Sequence, residues 1–108
     1  MYKKKVFIVS DASGHDMSPA EKYGDLVVLS KGSVDKYNTS YMVRIFTPIL
    51  DESKAEDFIL VSGPTVMNTV ACGIFAAKHG RLNLLLWRVE DGGEDRYVHR
   101  RIVFREGS

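Results

Sequence analysis

The sequence predicts an α/β domain, Rossmann-like or flavodoxin-like, with three layers and a mainly parallel sheet of about five strands. Its first warrant is a set of short apolar runs at residues 6–9, 26–29, 58–61 and 82–87. The first three are wholly apolar, as strands covered on both faces are, and Asn83 alone interrupts the fourth. The second warrant is the helical patterning between them, since strand–helix alternation implies right-handed crossovers and parallel pairing. The third is Gly92-Gly93 ahead of the last extended run, which suggests an antiparallel edge hairpin.

Each element has its own signature. After residues 6–9, Ser18 and Glu21 have capping-box spacing, Pro19 suits the first helical position and Gly24 can end the turn. A short helix over 19–23 follows. In "NTSYMVRIFTPIL", residues 38–50, Tyr41, Met42, Ile45, Phe46, Ile49 and Leu50 form one apolar stripe. Pro48 lacks a backbone donor, so a kink or early stop is expected there. "SGPTVMNTVACGIFAAKHG", residues 62–80, repeats the stripe with Val66, Met67, Val70, Ala71, Ile74 and Phe75. Pro64 suits its first turn and Gly80 a left-handed C-terminal cap. A last strand near 97–104 carries arginines, which suit a sheet edge by discouraging aggregation. Strand order 2-1-3-4-5 is expected.

The chain of 108 residues has the size of one domain spanning 1–108, and at 44% hydrophobic it can bury a core. Net charge is +1, so the overall field makes no case for nucleic acid or membrane. One cysteine excludes an internal disulfide and fits a reducing, cytoplasmic setting. Residues 6–9 are too short for a signal h-region, and no run approaches the ~20 residues of a transmembrane helix.

In open parallel sheets, ligands bind beyond the strand C-termini where strand order reverses. The expected order brings two loops to that point. In "VFIVSDASGHDMSPAEKYG", residues 6–24, the first strand runs into Ser10, Asp11, Ser13, Gly14, His15 and Asp16. The other loop holds Ser62, Gly63, Pro64 and Thr65 at the start of the main helix. Unpaired amides and the helix dipole there suit a phosphate or carboxylate, with Gly63 allowing close approach and Ser62 and Thr65 adding hydroxyls. The competing reading is a plain helix start capped by Ser62. No P-loop and no GxGxxG motif is present.

His15 is placed to act as general base or acid, and Asp11 to orient it. The plainer alternative is turn chemistry, with Asp, Ser and Gly simply building the loop. Asn68, one turn into the helix, and Lys31, after the second strand, complete the candidate ligand set. No metal site is expected, and the sequence leaves the cofactor unknown. Cys72 reads as a packed thiol, His79 as a cation complementing the helix dipole, and His99 as an edge-strand residue without an obvious partner.

The phrases "SGHDMSPAEKYGDLVVLSKG" and "MNTVACGIFAAKHGRLNLLLW" resemble a group of small bacteriophage and bacterial proteins of unknown function, across residues 6–87. The resemblance implies a phage or bacterial origin and carries no activity. A fainter likeness is to small viral proteins that degrade cyclic oligoadenylate messengers. Their Gly-His-acid-Ser-Thr motif is absent here, where Ser62-Gly63-Pro64-Thr65 stands instead, so their catalytic residues are not carried over.

Two functions follow. One is a domain that binds a phosphate-bearing small molecule, such as a nucleotide, with Asp11 and His15 contacting or processing it. The other is a protein-interaction module, such as a phage factor that binds a host protein, signalled by exposed Tyr37, Tyr41 or Tyr97. Nucleic acid ranks last, with the basic C-terminal strand as its platform. A homodimer could form through an edge strand or the 41–50 stripe.

Overall fold

The computed structural model describes residues 2–12, 14, 16–89 and 96–105. Its elements are β1 (Lys5–Ile8), a 3-10 turn η1 (Ser18–Tyr23), β2 (Asp25–Val28), α1 (Thr39–Leu50), β3 (Phe58–Leu60), α2 (Thr65–His79), β4 (Arg81–Arg88) and β5 (Arg96–Val103). The sheet order is β2-β1-β3-β4-β5, as the flavodoxin-like reading expects. Pairings are parallel up to β4, and β5 returns antiparallel in register with Arg81 opposite Val103. The Gly92-Gly93 turn between β4 and β5 lies outside the described residues.

The topology decides which face each helix covers. Right-handed crossovers place a helix according to the direction of travel across the sheet. The chain moves one way from β1 to β2, then back across β1 to β3 and on to β4. Hence α1 and α2 share one face, and η1 stands alone on the other. The first face holds Phe7, Val9, Leu29 and Ile59 under Met42, Phe46 and Leu50 of α1 and Met67, Ala71 and Phe75 of α2. The stripe expected over 41–50 therefore packs into the core. The second face holds Val6, Ile8, Phe58, Leu60, Leu85 and Tyr97 under Met17 and Ala20.

Local signals fare unevenly. Helix α1 runs through Pro48, which is exposed, and ends two residues later at Leu50. Asn38 caps it by accepting from the Tyr41 amide (3.1 Å). Gly80 is left-handed (φ 71°) and closes α2 on the Ala76 carbonyl. The expected capping box does not form: Met17 precedes η1, and Asp16 Oδ1 accepts from the Ser18 amide (2.9 Å). Ser18 is the first residue of η1 rather than its cap, so the Ser18–Glu21 spacing is out of phase with a capping box, and an aspartate turn takes its place. Ser62 does not cap α2 either. Pro64 occupies that position, and the Ser62 side chain turns to β1.

Candidate functional site

The loops after β1, β2 and β3 converge at the C-terminal end of the parallel strands. The Ser10 amide donates to Ser62 Oγ (3.1 Å), and the Ser62 hydroxyl donates to the Ser10 carbonyl (2.9 Å). This reciprocal pair clasps β1 to β3 beyond their last ladder bond. On the other side, the Gly32 amide donates to Asp11 Oδ1 (2.9 Å) and the Ser30 hydroxyl to the Val9 carbonyl (2.7 Å), tying β1 to β2. Ser10 is buried, and its Oγ also accepts from the Ala12 amide (3.2 Å).

Gly63 sits in the left-handed region (φ 77°), and a Cβ there would stand 2.7 Å from Ser10 Cβ. Both conditions demand glycine: the conformation, and the close approach to β1. Asn68 holds the loop from behind. Its Oδ1 accepts from the Ser62 amide (3.0 Å), and its Nδ2 donates to the Ser62 (2.8 Å) and Pro64 (2.9 Å) carbonyls. Its buried amide thus positions the loop. Thr65 is exposed at the first turn of α2. The Met67 and Asn68 amides close on the Pro64 carbonyl, leaving Thr65 and Val66 to present the first amides of the helix.

Two hollows flank this loop. A cleft of about 430 Å³ lies between Pro64, Thr65 and Val66 on one side and Lys36 and Tyr37 on the other. A smaller hollow of about 170 Å³ opens toward η1, where Ser62 and Gly63 meet Met17, Leu60, Trp87 and Tyr97. Lys36 escaped the sequence reading, and Tyr37 entered it only as an exposed aromatic for a partner protein, not as a wall of this cleft. The signal for this wall was faint: an Asp35 turn, whose Oδ1 accepts from the Tyr37 amide (2.9 Å).

The structure thus gathers Ser10, Asp11, Ser62, Gly63, Thr65 and Asn68 at one rim. Gly14 is exposed with φ 70°, its amide bonded to the Asp11 carbonyl (3.4 Å). Lys31 is exposed and lines neither hollow. Ser13 and His15 lie outside the described residues. Among the described residues no group of three His, Cys, Asp or Glu side chains converges.

The remaining titratable groups take structural positions. Burial pushes the Cys72 thiol up, as for a packed cysteine. Burial, reinforced by Lys78, pulls His79 down, so its neutral form is favoured over the cation expected at a helix end. It packs on Phe75 (ring centroids 4.5 Å) and sits 2.8 Å from Ser53 Oγ. Tyr97 is buried against Trp87 and is not the exposed aromatic that its edge position suggested, because the Trp87 ring and η1 cover it.

A family model describing the phage Pam3 gp32-like protein matches residues 4–102. The chain belongs to that family. The match spans every element from β1 through most of β5, and so includes the rim built by Ser10, Ser62 and Asn68. No curated protein and no solved structure matches the chain. Among the described residues, no helix is long and apolar enough to cross a membrane.

Proposed function

We propose that this phage-family domain binds an anionic small molecule, a phosphate ester or nucleotide, at the rim formed by the β1, β2 and β3 loops. The observation that carries the reading is the cleft of about 430 Å³ at the start of α2, with Lys36 across from Thr65. Its volume falls in the range of small-molecule sites. The first amides of the helix and the Thr65 hydroxyl would donate to the anion, and Lys36 would supply the countercharge. The apolar hollow beside Trp87, on the far side of the Ser62–Gly63 turn, would receive a flat group such as a base. Asp11 and His15 would then contact or process what lies between.

Calorimetric titration with adenosine monophosphate and with inorganic phosphate tests this. Lys36→Ala should weaken adenosine monophosphate by about tenfold, the loss of one charge-assisted contact of roughly 1.5 kcal/mol. Thr65→Val should weaken both ligands. Unchanged affinity in both variants would remove the site.

The second reading, a phage factor docking on a host protein, has one observation in its favour. Tyr37 is 82% exposed, and Tyr41 and Val43 stand out beside it at the start of α1. Such a partner should be retained from host lysate by the native chain and lost with Tyr37→Ala.

A further inference from the structure

The face of the sheet that η1 covers only in part carries a second surface, remote from the α2 cleft. Side chains alternate along β5, and Tyr97, His99 and Arg101 point to this face opposite Trp87, Leu85 and Asn83 of β4. Tyr97 is covered, but His99 and Arg101 are exposed. Two shallow hollows adjoin His99. One, of about 190 Å³, places Lys22 and Tyr23 of η1 beside Arg96. The other, of about 150 Å³, gathers Lys4 before β1, Arg81 of β4 and Arg101 of β5, with Glu56 the one acid in its wall. Each is smaller than the α2 cleft and rimmed by cations.

Aromatic rings thread between these cations. Lys22 Nζ lies 5.3 Å over the Tyr23 ring. Tyr23 meets Phe58 at 5.4 Å, and Phe58 meets the edge of His99 at 5.1 Å. Burial together with Arg101, Lys4 and Arg100 pulls His99 down, a second sign that positive charge is concentrated here.

We infer that this strip along the open face of β4 and β5 binds single-stranded nucleic acid, with phosphates in the two hollows and the Lys22–Tyr23–His99 line beneath the chain between them. Charge complementarity selects a polyanion. A second copy of this chain would set cation against cation. Two cation-rimmed hollows that both adjoin the His99 ring suit a repeating backbone with bases between its charges. The overall charge of +1 does not oppose this, because Lys4, Lys22 and Arg101 come from three separate segments that only the fold brings together.

Fluorescence anisotropy with a labelled oligothymidylate tests the inference. If Lys4, Lys22 and Arg101 each displace one counterion, affinity should fall about 20-fold between about 50 and 200 mM salt, from a slope of roughly −0.7 per phosphate on single strands. A Lys4→Gln, Arg101→Gln double variant should bind more weakly and show only about a threefold salt effect. All three side chains are exposed, so the variants should fold, as circular dichroism would verify. Lys36→Ala should leave oligonucleotide binding intact, which separates this surface from the α2 cleft. No binding at low salt, or an unchanged salt slope in the double variant, would overturn the inference. Equal binding of polyglutamate in competition would also overturn it, in favour of an acidic protein partner.

Discussion

At Gly63, two physical demands meet in one residue. The backbone must be left-handed, and nothing larger than hydrogen fits against Ser10. Gly32 shares the first demand (φ 70°) but faces open space. The pair separates conformation from contact. Gly32→Ala should cost about 1–2 kcal/mol, the price of a left-handed L-residue. Gly63→Ala should cost that and about 1–3 kcal/mol more, because an overpacked Ser10 clasp must shift. Urea unfolding of the two variants measures the difference, and equal costs would show that the rim yields freely. The glycine in "SGPT" was legible in the sequence as a loop feature. Its contact with Ser10 was not, because 52 residues separate the Ser10 and Ser62 partners of the clasp.

Helix α2 is fastened at its start by a side chain from its own first turn. Asn68 reaches back to the loop through one accepted and two donated bonds. Asn68→Ala would leave the half-buried Ser62 and Pro64 groups without these partners and should cost about 2–3 kcal/mol. It should also loosen the loop, seen as faster amide exchange at Ser62 and Gly63. One turn into the helix, Asn68 could by sequence face the cleft or equally face solvent. That spacing does bring it to the rim, but periodicity cannot say whether an amide bonds a ligand or its own backbone. Helix α1 offers the converse case. A kink or early stop is expected at its interior proline, yet the helix runs on to Leu50 because Met42, Phe46 and Leu50 anchor it on both sides of Pro48. Tertiary burial overrides propensity here. Pro48→Ala, at an exposed position, should raise stability by about 1–2 kcal/mol by restoring the missing hydrogen bond. Thermal denaturation reads this directly.

Over the whole molecule, two histidines report on packing and charge. Burial lowers His79, with Lys78 adding to it, and burial with Arg101 lowers His99. A histidine whose folded value is depressed binds protons less readily when folded, so the unfolded chain takes up more protons as pH falls below the ordinary 6.5. Stability should therefore be complete above that value and decline on acidification through the window below it. A His79→Gln, His99→Gln double variant should flatten this slope in urea midpoints recorded across pH. An unchanged slope would assign the acid sensitivity to carboxylates instead. The same positive cluster beside His99 underlies the nucleic-acid strip. It exists only at this scale, because residues 4, 22 and 101 belong to three different segments.

Legible before folding were the element order, the parallel sheet with its antiparallel edge strand, and the convergence of the Ser10 and Ser62 loops. Apolar runs, helical stripes and end signals are local, and crossover handedness then leaves few ways to arrange them. It took the folded chain to show that Ser62 and Asn68 bond the loop, that Lys36 faces Thr65 across the cleft, and that η1 leaves one sheet face partly open. Those outcomes depend on which distant groups meet. A hydrogen bond or a charge cluster between residues far apart in the chain leaves no periodic trace in either segment.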